Sequence, residues 1–216
     1  MEASVRRSGA FAACALLSTV PQAVIASGGS PRLSALLLLL SVTAVLPGAS
    51  AAVKDSSPSG FTIENSTVVP VNATTAWAAL VNDVDRWWPK DHTWWGQESK
   101  LTIDPRAGGC FCEISGERQA QHLQVVFADP PKLLRLAGAL GPMQGMGLSG
   151  VLEWRLRAAD GGTRITVWYR TGGYSPEDLR NLAPVVDRVQ RLQLGDLANY
   201  LRDQSGKQAP ADGRPP

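Results

Sequence analysis

The stretch Trp87–Trp95, with the sequence WWPKDHTWW, places four tryptophans within nine residues. Each ring offers a large apolar body and one N–H donor, so such a cluster either closes a core or lines an apolar pocket. A second motif, DPRAGGCFCE, follows at Asp104–Glu113. Its Asp-Pro and Gly-Gly pairs are typical of a turn, and the alternation that starts at Cys110 indicates a strand. An aromatic surface is therefore followed by a turn that begins a strand.

One strand and two short helices are predicted before the tryptophan cluster. Phe61–Val71 has strand character, and Asn72 is suited to cap a helix through Ala76–Val81. Val84–Trp88 is predicted to form a second helix, which Pro89 ends.

After the cluster the hydrophobic pattern changes to a period of two, which predicts a run of six strands. Their ranges are Lys100–Asp104, Gly109–Ser115, His122–Ala128, Lys132–Ala139, Leu148–Ala158 and Thr163–Thr171. Ser175–Asp178 has the pattern of a helix start. A long helix is predicted from Pro184, with an apolar face made of Leu182, Val185, Val186, Val189, Leu192, Leu197, Tyr200 and Leu201. That face would cover the apolar side of the sheet.

The double tryptophan and the segment Pro105–Glu113 resemble the SRPBCC (START-like, polyketide cyclase/dehydrase) superfamily, in the branch related to the activator of the heat-shock-90 ATPase. The resemblance covers residues 61 to about 202. It implies an α+β helix-grip fold, in which a curved antiparallel β-sheet wraps around a long C-terminal α-helix and two short helices follow the first strand. It also implies a cavity between the sheet and the long helix.

The chain divides into four regions. Residues 1–51 hold an apolar run, Leu36–Leu46, and an Ala-Ser-Ala exit, which predict a signal peptide cleaved near Ala51. An N-terminal extension and a downstream translation start both stay open. Residues 52–60 predict a linker, residues 61–204 the SRPBCC/START-like domain, and residues 205–216 a disordered polar tail. The apolar run is shorter than the about 20 residues of a membrane span, so no stable membrane insertion is expected after cleavage.

The charge balance excludes two classes of partner. Residues 1–51 contain three of the 21 basic and one of the 19 acidic residues, so the remainder carries 18 of each. A chain with no net positive charge lacks the excess of basic residues that attracts nucleic acid or an anionic membrane surface. No phosphate-binding or other cofactor motif is present, so no cofactor is expected, and the sequence leaves the oligomeric state open.

Alternation along the strands predicts which side chains face the long helix. One phase contains Cys110, Cys112, Ile114, Leu123, Val125, Phe127, Trp154 and Tyr169, and the opposite phase, with Glu113 and His122, carries the charges. The cysteines are therefore expected to be buried thiols, because residues i and i+2 of a strand lie near the upper limit of disulfide Cα separation. A copper site made of the Cys pair with Met143, Met146 and His92 is considered and not favoured.

The cavity mouth is predicted between the tryptophan cluster and the Gly/Met-rich loop Gly141–Gly147, which is either a flap or a plain connection. Tryptophan, methionine and aliphatic side chains suit a small apolar molecule. No metal site and no catalytic residue is assigned. The candidate ligand-binding residues are Trp87, Trp88, His92, Trp94, Trp95, Cys112, Met143, Met146, Trp154 and Tyr169.

Three functions are compatible with these residues. An exported protein that binds a small hydrophobic ligand without catalysis is favoured. The alternative is a cyclase/dehydrase-type enzyme that uses His92, Tyr169 or Glu113 as acid or base in the same cavity. A co-chaperone-like interaction module comes third, because the partner ATPase of that family is cytosolic.

Overall fold

The structure is a computed structural model that describes residues 52–208. It contains an eight-stranded antiparallel sheet and a long C-terminal helix, with two short helices after the first strands. The predicted α+β helix-grip architecture is thereby confirmed. The predicted signal peptide lies outside the described residues, as does most of the predicted tail.

The strands follow the chain around the sheet in the order β1-β2-β8-β7-β6-β5-β4-β3. Within residues 52–208, no helix combines the length and apolarity needed to cross a bilayer. The strands are β1 Val53–Ser57, β2 Gly60–Val69, β3 Lys100–Ile103, β4 Cys110–Ser115, β5 Arg118–Asp129, β6 Leu133–Gly138, β7 Ser149–Ala159 and β8 Gly162–Gly172. The α-helices are α1 Ala73–Asn82, α2 Val84–Trp87 and α3 Ala183–Gln208.

Strand β1 corrects the prediction that residues 52–60 form a linker. It pairs with β2 in antiparallel register from Val53 to Ser57, and the Glu64 amide donates to the Ala52 carbonyl at 2.8 Å. Four of the five residues of VKDSS are exposed, so this strand needs no alternation of apolar and polar residues, and its sequence has none. Backbone hydrogen bonds to a single neighbour are enough to hold an edge strand of this kind.

The two short helices are confirmed, and the cap of the first is the predicted one. The Asn72 side chain accepts a hydrogen bond from the Thr75 amide at 2.9 Å. The helix start predicted at Ser175–Asp178 is wrong. Asp178 instead caps a single 3-10 turn, Leu179–Asn181, which leads into α3.

The inner face of α3 differs from the prediction. Val185 and Leu192, which were expected inside, are 51% and 52% exposed. The buried stripe runs at helical spacing through residues that include polar side chains. Its members are Ala183, Val186, Asp187, Gln190, Gln193, Leu194, Leu197, Ala198 and Leu201.

Two β-bulges interrupt β5. Phe111 pairs with Leu123 but Cys112 pairs with Gln121, so His122 is an extra residue opposite β4. Val126 is likewise extra opposite β6. A bulge places two consecutive side chains on one face, which reverses the alternation that follows.

Four side chains have orientations that differ from the prediction, and the bulges explain the two that lie on β5. His122 is buried beside Leu123 instead of lying outside, and Phe127 is exposed instead of buried. On β4, Phe111 shares the inner face with its partner Leu123, so alternation also turns Glu113 inward. Ile114 consequently points outward.

The cysteine prediction is wrong as well. Cys110 and Cys112 lie on the outer phase of β4 and form a disulfide with a Cα–Cα separation of 5.3 Å. This separation lies within the usual disulfide range, which the prediction had expected a strand pair at i and i+2 to approach only at its upper limit.

Candidate functional site

A cavity of about 370 Å³ lies between three parts of the domain. One wall is the segment from Trp88 to Trp94, which is called the tryptophan wall below. A second wall is the loop Leu140–Met146, and the third is the N-terminal half of α3, with Val186, Val189, Gln190 and Gln193. His122 of β5 also lines it. This volume is at the small end of the range for small-molecule sites.

The tryptophan wall is anchored by the two rings at its start. Trp87 is buried in the core, where its indole N–H donates to the Ala79 carbonyl at 3.0 Å. The Trp88 ring packs edge-on against Phe111 with centroids 5.1 Å apart, and its N–H donates to the His92 carbonyl at 3.2 Å. The wall is therefore fixed to the core at one end and shaped internally by a hydrogen bond.

A second anchor comes from the buried side of the wall. Lys90 donates from its ammonium group to Asp85 at 2.5 Å and to the Ser99 carbonyl at 2.8 Å, and Asp85 also accepts from the Leu101 amide at 2.9 Å. Burial alone would raise the pKa of Asp85, but the hydrogen bonds from Lys90 and Leu101 outweigh it and lower that pKa. The carboxylate is thus held charged where α2 meets β3.

Glu113 holds the far end of the tryptophan wall. It is completely buried, and its Oε1 accepts hydrogen bonds from the Trp94 amide at 2.8 Å, the Trp95 amide at 3.3 Å and the Ser99 hydroxyl at 2.6 Å. Its Oε2 lies 2.8 Å from Nε2 of His122. A buried carboxylate with this many donors is compensated for its lost hydration.

His122 connects that carboxylate to the cavity. Its side chain is 9% exposed, and its ring lies 5.2 Å from the Phe111 ring, centroid to centroid. The bulge in β5 turns the imidazole inward, where it lines the cavity. Glu113 and His122 together form a carboxylate–histidine dyad at the cavity surface.

Two further polar groups line the cavity without satisfied hydrogen bonds. Gln190 is 2% exposed, and neither its Oε1 nor its Nε2 has a partner among residues 52–208. Nδ1 of His92 is also buried and unpartnered in the described chain. Asp187 lies three residues before Gln190 on the same helix. Its carboxylate, by contrast, is paired with Asn65 at 2.9 Å and with Arg191 at 2.9 Å. Most buried polar groups in proteins are paired, so the Gln190 amide is an exception that a bound molecule would explain.

The loop wall combines a fixed and an exposed methionine. Both line the cavity, but Met143 is buried, whereas Met146 is 38% exposed. The Gln144 amide donates to the backbone carbonyls of Gln121 at 2.5 Å and His122 at 3.3 Å. The loop is therefore attached to the same bulge that presents the imidazole.

Half of the residues predicted to bind a ligand line this cavity. Both segments that were predicted to form its mouth, the tryptophan cluster and the loop Gly141–Gly147, contribute lining residues. The lining residues of the predicted set are Trp88, His92, Trp94, Met143 and Met146. Whether a ligand occupies the cavity stays a prediction.

The other half of the predicted set lies elsewhere. Trp87 and Trp154 pack against each other in the core with centroids 5.9 Å apart. Trp95 stacks with the Arg118 guanidinium, and Cys112 is in the outer disulfide. Tyr169 is fully buried, and burial raises the pKa of its hydroxyl.

Sequence reasoning missed His122, Gln190 and Gln193 at this site. Gln190 and Gln193 interrupt the apolar face of α3, and a polar residue within an apolar stripe was the available signal. No comparable signal existed for His122, because alternation places it outside and only the bulge turns it inward.

The copper set considered above does not assemble, because the disulfide lies on the outer face of β4 while His92, Met143 and Met146 line the cavity. Among residues 52–208, no group of three or more histidine, cysteine, aspartate or glutamate side chains is arranged to hold a metal ion.

The fold and the cavity define a helix-grip protein with a ligand-sized cavity against its long helix. No protein-family model matches the chain, and no curated protein matches it. Solved structures do match. A protein from Rhodobacter sphaeroides is 15% identical with a TM-score of 0.49, and the match covers 73% of this chain and 99% of that one.

Two further structures show the same level of likeness. CalU16 from Micromonospora echinospora is 15% identical with a TM-score of 0.45, over 68% of this chain and 79% of that one. DynU16, a protein in the dynemicin biosynthetic locus, is 17% identical with a TM-score of 0.48, over 66% of this chain and 48% of that one. Likenesses this distant carry no inference about function, which must come from the cavity itself.

Proposed function

We propose that this protein binds a small, largely apolar molecule that carries a hydrogen-bonding group, in the cavity between the tryptophan wall and α3. The observation that carries the proposal is the Gln190 amide, which is buried at the cavity surface with both its donor and its acceptor unpaired. A ligand with a carbonyl or hydroxyl group would satisfy it. Leaving a buried polar group unpaired costs about 1–3 kcal/mol.

The rest of the lining supports an apolar body for the ligand. Trp88, Met143, Val186 and Val189 offer aromatic, thioether and branched surfaces, and Trp94 at the mouth is 47% exposed. Thioether and indole side chains adapt well to varied apolar shapes. A mainly apolar pocket with a few polar groups is the usual composition of a small-molecule site.

The test uses N-phenyl-1-naphthylamine, an apolar dye with one N–H donor, titrated while tryptophan fluorescence is recorded. We expect one binding site and quenching of the tryptophan emission. Val189→Phe should block binding by filling the cavity. The matched control is Leu192→Phe, which makes a similar change on the exposed side of the same helix and should leave the dissociation constant unchanged.

Two outcomes of this titration would refute the proposal. The first is no saturable binding to the wild-type protein. The second is equal affinity for Val189→Phe and Leu192→Phe, since dye would then bind outside the cavity. Native mass spectrometry of the purified protein adds an independent readout, because a resident ligand should appear as a mass increment that Val189→Phe removes.

We also propose that the domain acts outside the cytoplasm, after cleavage near Ala51. The support is the apolar, nearly uncharged character of residues 1–51 together with the Cys110–Cys112 disulfide, since disulfides persist in oxidising compartments. N-terminal sequencing of the protein recovered from its native host tests the proposal. Cleavage close to residue 51 would support it, and an intact N-terminus in a cytoplasmic fraction would refute it.

A further inference from the structure

We propose that the Glu113–His122 dyad is a general base, which removes a proton from the carbon next to the carbonyl group of an apolar ketone held in the cavity. The inference rests on the proposed function, because the ketone must first bind. It adds a reaction and a substrate class to that binding, and it assigns the base to a residue that the sequence pattern placed on the outside.

The hydrogen bonds of Glu113 determine which nitrogen of His122 can act. Oε1 already accepts from Trp94, Trp95 and Ser99, which leaves Oε2 for the imidazole at 2.8 Å. An ionised carboxylate only accepts hydrogen bonds, so Nε2 carries the hydrogen. In the neutral ring Nδ1 then has the free lone pair, and within residues 52–208 the one hydrogen bond of this ring is the one between Nε2 and Glu113.

The carboxylate also improves the base. A buried carboxylate that accepts from one ring nitrogen fixes the tautomer and stabilises the imidazolium that forms when the other nitrogen takes a proton. Phe111 packs against the same ring, and the bulge fixes the backbone of His122, so the imidazole has little freedom to turn away. Histidine and carboxylate are thus arranged as in catalytic dyads, with Nδ1 as the proton acceptor.

The other titratable side chains near the cavity do not compete for this role. His92 also lines the cavity, but no carboxylate is hydrogen-bonded to its ring in the described residues. Tyr169 is buried away from the cavity lining. Asp91 lines the cavity but has no hydrogen-bonded partner that would orient it among residues 52–208. His122 alone combines access with an orienting carboxylate.

The reaction balances without any cofactor. Nδ1 of His122 takes the proton, the C–H electron pair becomes the double bond of the enolate, and the carbonyl electrons move onto the oxygen. The Gln190 amide N–H is the donor available in the cavity to stabilise that oxygen. Return of the proton from His122 to the same or to another carbon completes an exchange or an isomerisation, with no net oxidation.

The experiment measures solvent deuterium incorporation at the acidic carbon of 2-tetralone, a bicyclic ketone with an apolar body. Binding of the same ketone is measured separately by quenching of tryptophan fluorescence. We expect the wild-type protein to bind the ketone and to accelerate exchange over buffer containing free imidazole. Arg157→Ala, on the outer face of β7, should match the wild type in both measurements.

Two substitutions separate the base from its support. His122→Gln should retain binding and lose about 100-fold or more of the exchange rate, in line with the usual contribution of a general base. Glu113→Gln keeps an oxygen for the Trp94, Trp95 and Ser99 donors but presents an N–H to Nε2 of His122. The imidazole would then carry its hydrogen on Nδ1 and lose the free lone pair, so exchange should fall while binding is retained.

Two readouts identify a chemical role rather than a structural one. The ¹⁵N chemical shifts of His122 should show a protonated Nε2 in the wild type and a protonated Nδ1 in Glu113→Gln. Free imidazole should restore part of the exchange in His122→Gly, because it can enter the space that the side chain leaves.

Each outcome decides between the two proposals. Binding of the ketone with exchange no faster than in the imidazole buffer, or with exchange unchanged in His122→Gln, overturns the dyad and leaves the binding function standing. Absence of ketone binding together with absence of dye binding overturns the proposed function and the inference with it. Absence of ketone binding alone overturns only the assignment of the ketone as substrate.

Discussion

Gln190 is the residue whose surroundings depart furthest from ordinary packing. An amide in the middle of a helix, 2% exposed, normally has partners for both its oxygen and its nitrogen, and this one has neither among residues 52–208. Such a group lowers the stability of the free protein and becomes favourable when a polar ligand atom pairs with it. Stability and binding should therefore respond to it in opposite directions.

The corresponding prediction compares two buried amides. Gln190→Met should leave the free energy of unfolding unchanged or raise it by about 1 kcal/mol, because an unpaired polar group is removed at similar volume. Asn65→Leu should lower the free energy of unfolding by about 1–3 kcal/mol, because Asn65 donates to Asp187 at 2.9 Å. Urea denaturation of the ligand-free protein measures both. A clear loss of stability for Gln190→Met would mean that the amide has a partner.

At the scale of the elements, the helix α3 was predicted correctly, but the side of it that faces the protein interior was not. Its apolar residues predict the helix, but Val185 and Leu192 follow that spacing while lying on the exposed side. The polar residues Asp187, Gln190 and Gln193 take the inner positions instead. Sequence alone favours the more apolar face, because it cannot tell that the inner face borders a cavity with polar groups.

Two leucines on α3 test this assignment of faces. Leu197→Ala should lower the free energy of unfolding by about 2–5 kcal/mol, since Leu197 is fully buried in the core. Leu192→Ala should change it by less than about 0.5 kcal/mol, as expected for an exposed position. Denaturant midpoints of the two variants give the comparison. Equal losses would place Leu192 in the core and contradict the observed helix orientation.

The strands were predicted in number and place except for β1, and their faces were predicted only where pairing is regular. Leu134, Leu136 and Leu152 are buried as alternation requires. The errors at His122 and Phe127 come from the bulges in β5, since a single extra residue exchanges the two faces of a strand. The error at Glu113 has another origin, because β4 alternates regularly and its more apolar phase is the outer one. The cavity walls were predictable from composition, and the dyad was not, because it depends on the bulge at His122.

At the scale of the whole molecule, a buried carboxylate on the outer face of the sheet makes the free energy of unfolding depend on pH. Glu153 is buried beneath Arg135, which donates to it at 2.6 Å, and Arg155, which donates to it at 2.6 Å. Burial alone would raise the pKa of Glu153, but the hydrogen bonds and charges of Arg135 and Arg155 outweigh it and lower that pKa below the ordinary 4.5. A carboxylate whose pKa is lower in the folded state stabilises the protein fully above the unfolded value and progressively less as the pH falls through the folded value.

The pH prediction follows from that sign. The wild-type free energy of unfolding should fall as the pH decreases below about 4.5, the ordinary glutamate value. Glu153→Gln should be less stable than the wild type at neutral pH. The difference in the free energy of unfolding should shrink as the pH falls through the lowered pKa of Glu153, because the wild type then loses its charged carboxylate. Thermal unfolding of both proteins across this range checks it. A difference that does not change with pH would mean that Glu153 contributes through packing and not through its charge.

The two bulges in β5 also have a consequence for how this chain can change. Each inserts one residue, and because faces repeat every second residue, the two insertions cancel in parity, so both ends of the strand keep a common frame while only Leu123–Val125 is inverted. Deleting either His122 or Val126 alone would remove its own bulge and leave every other residue of β5 on its present face. Deleting both would restore an unbroken frame with a plain strand in place of the dyad, which makes the catalytic candidate a removable insertion in an otherwise regular scaffold.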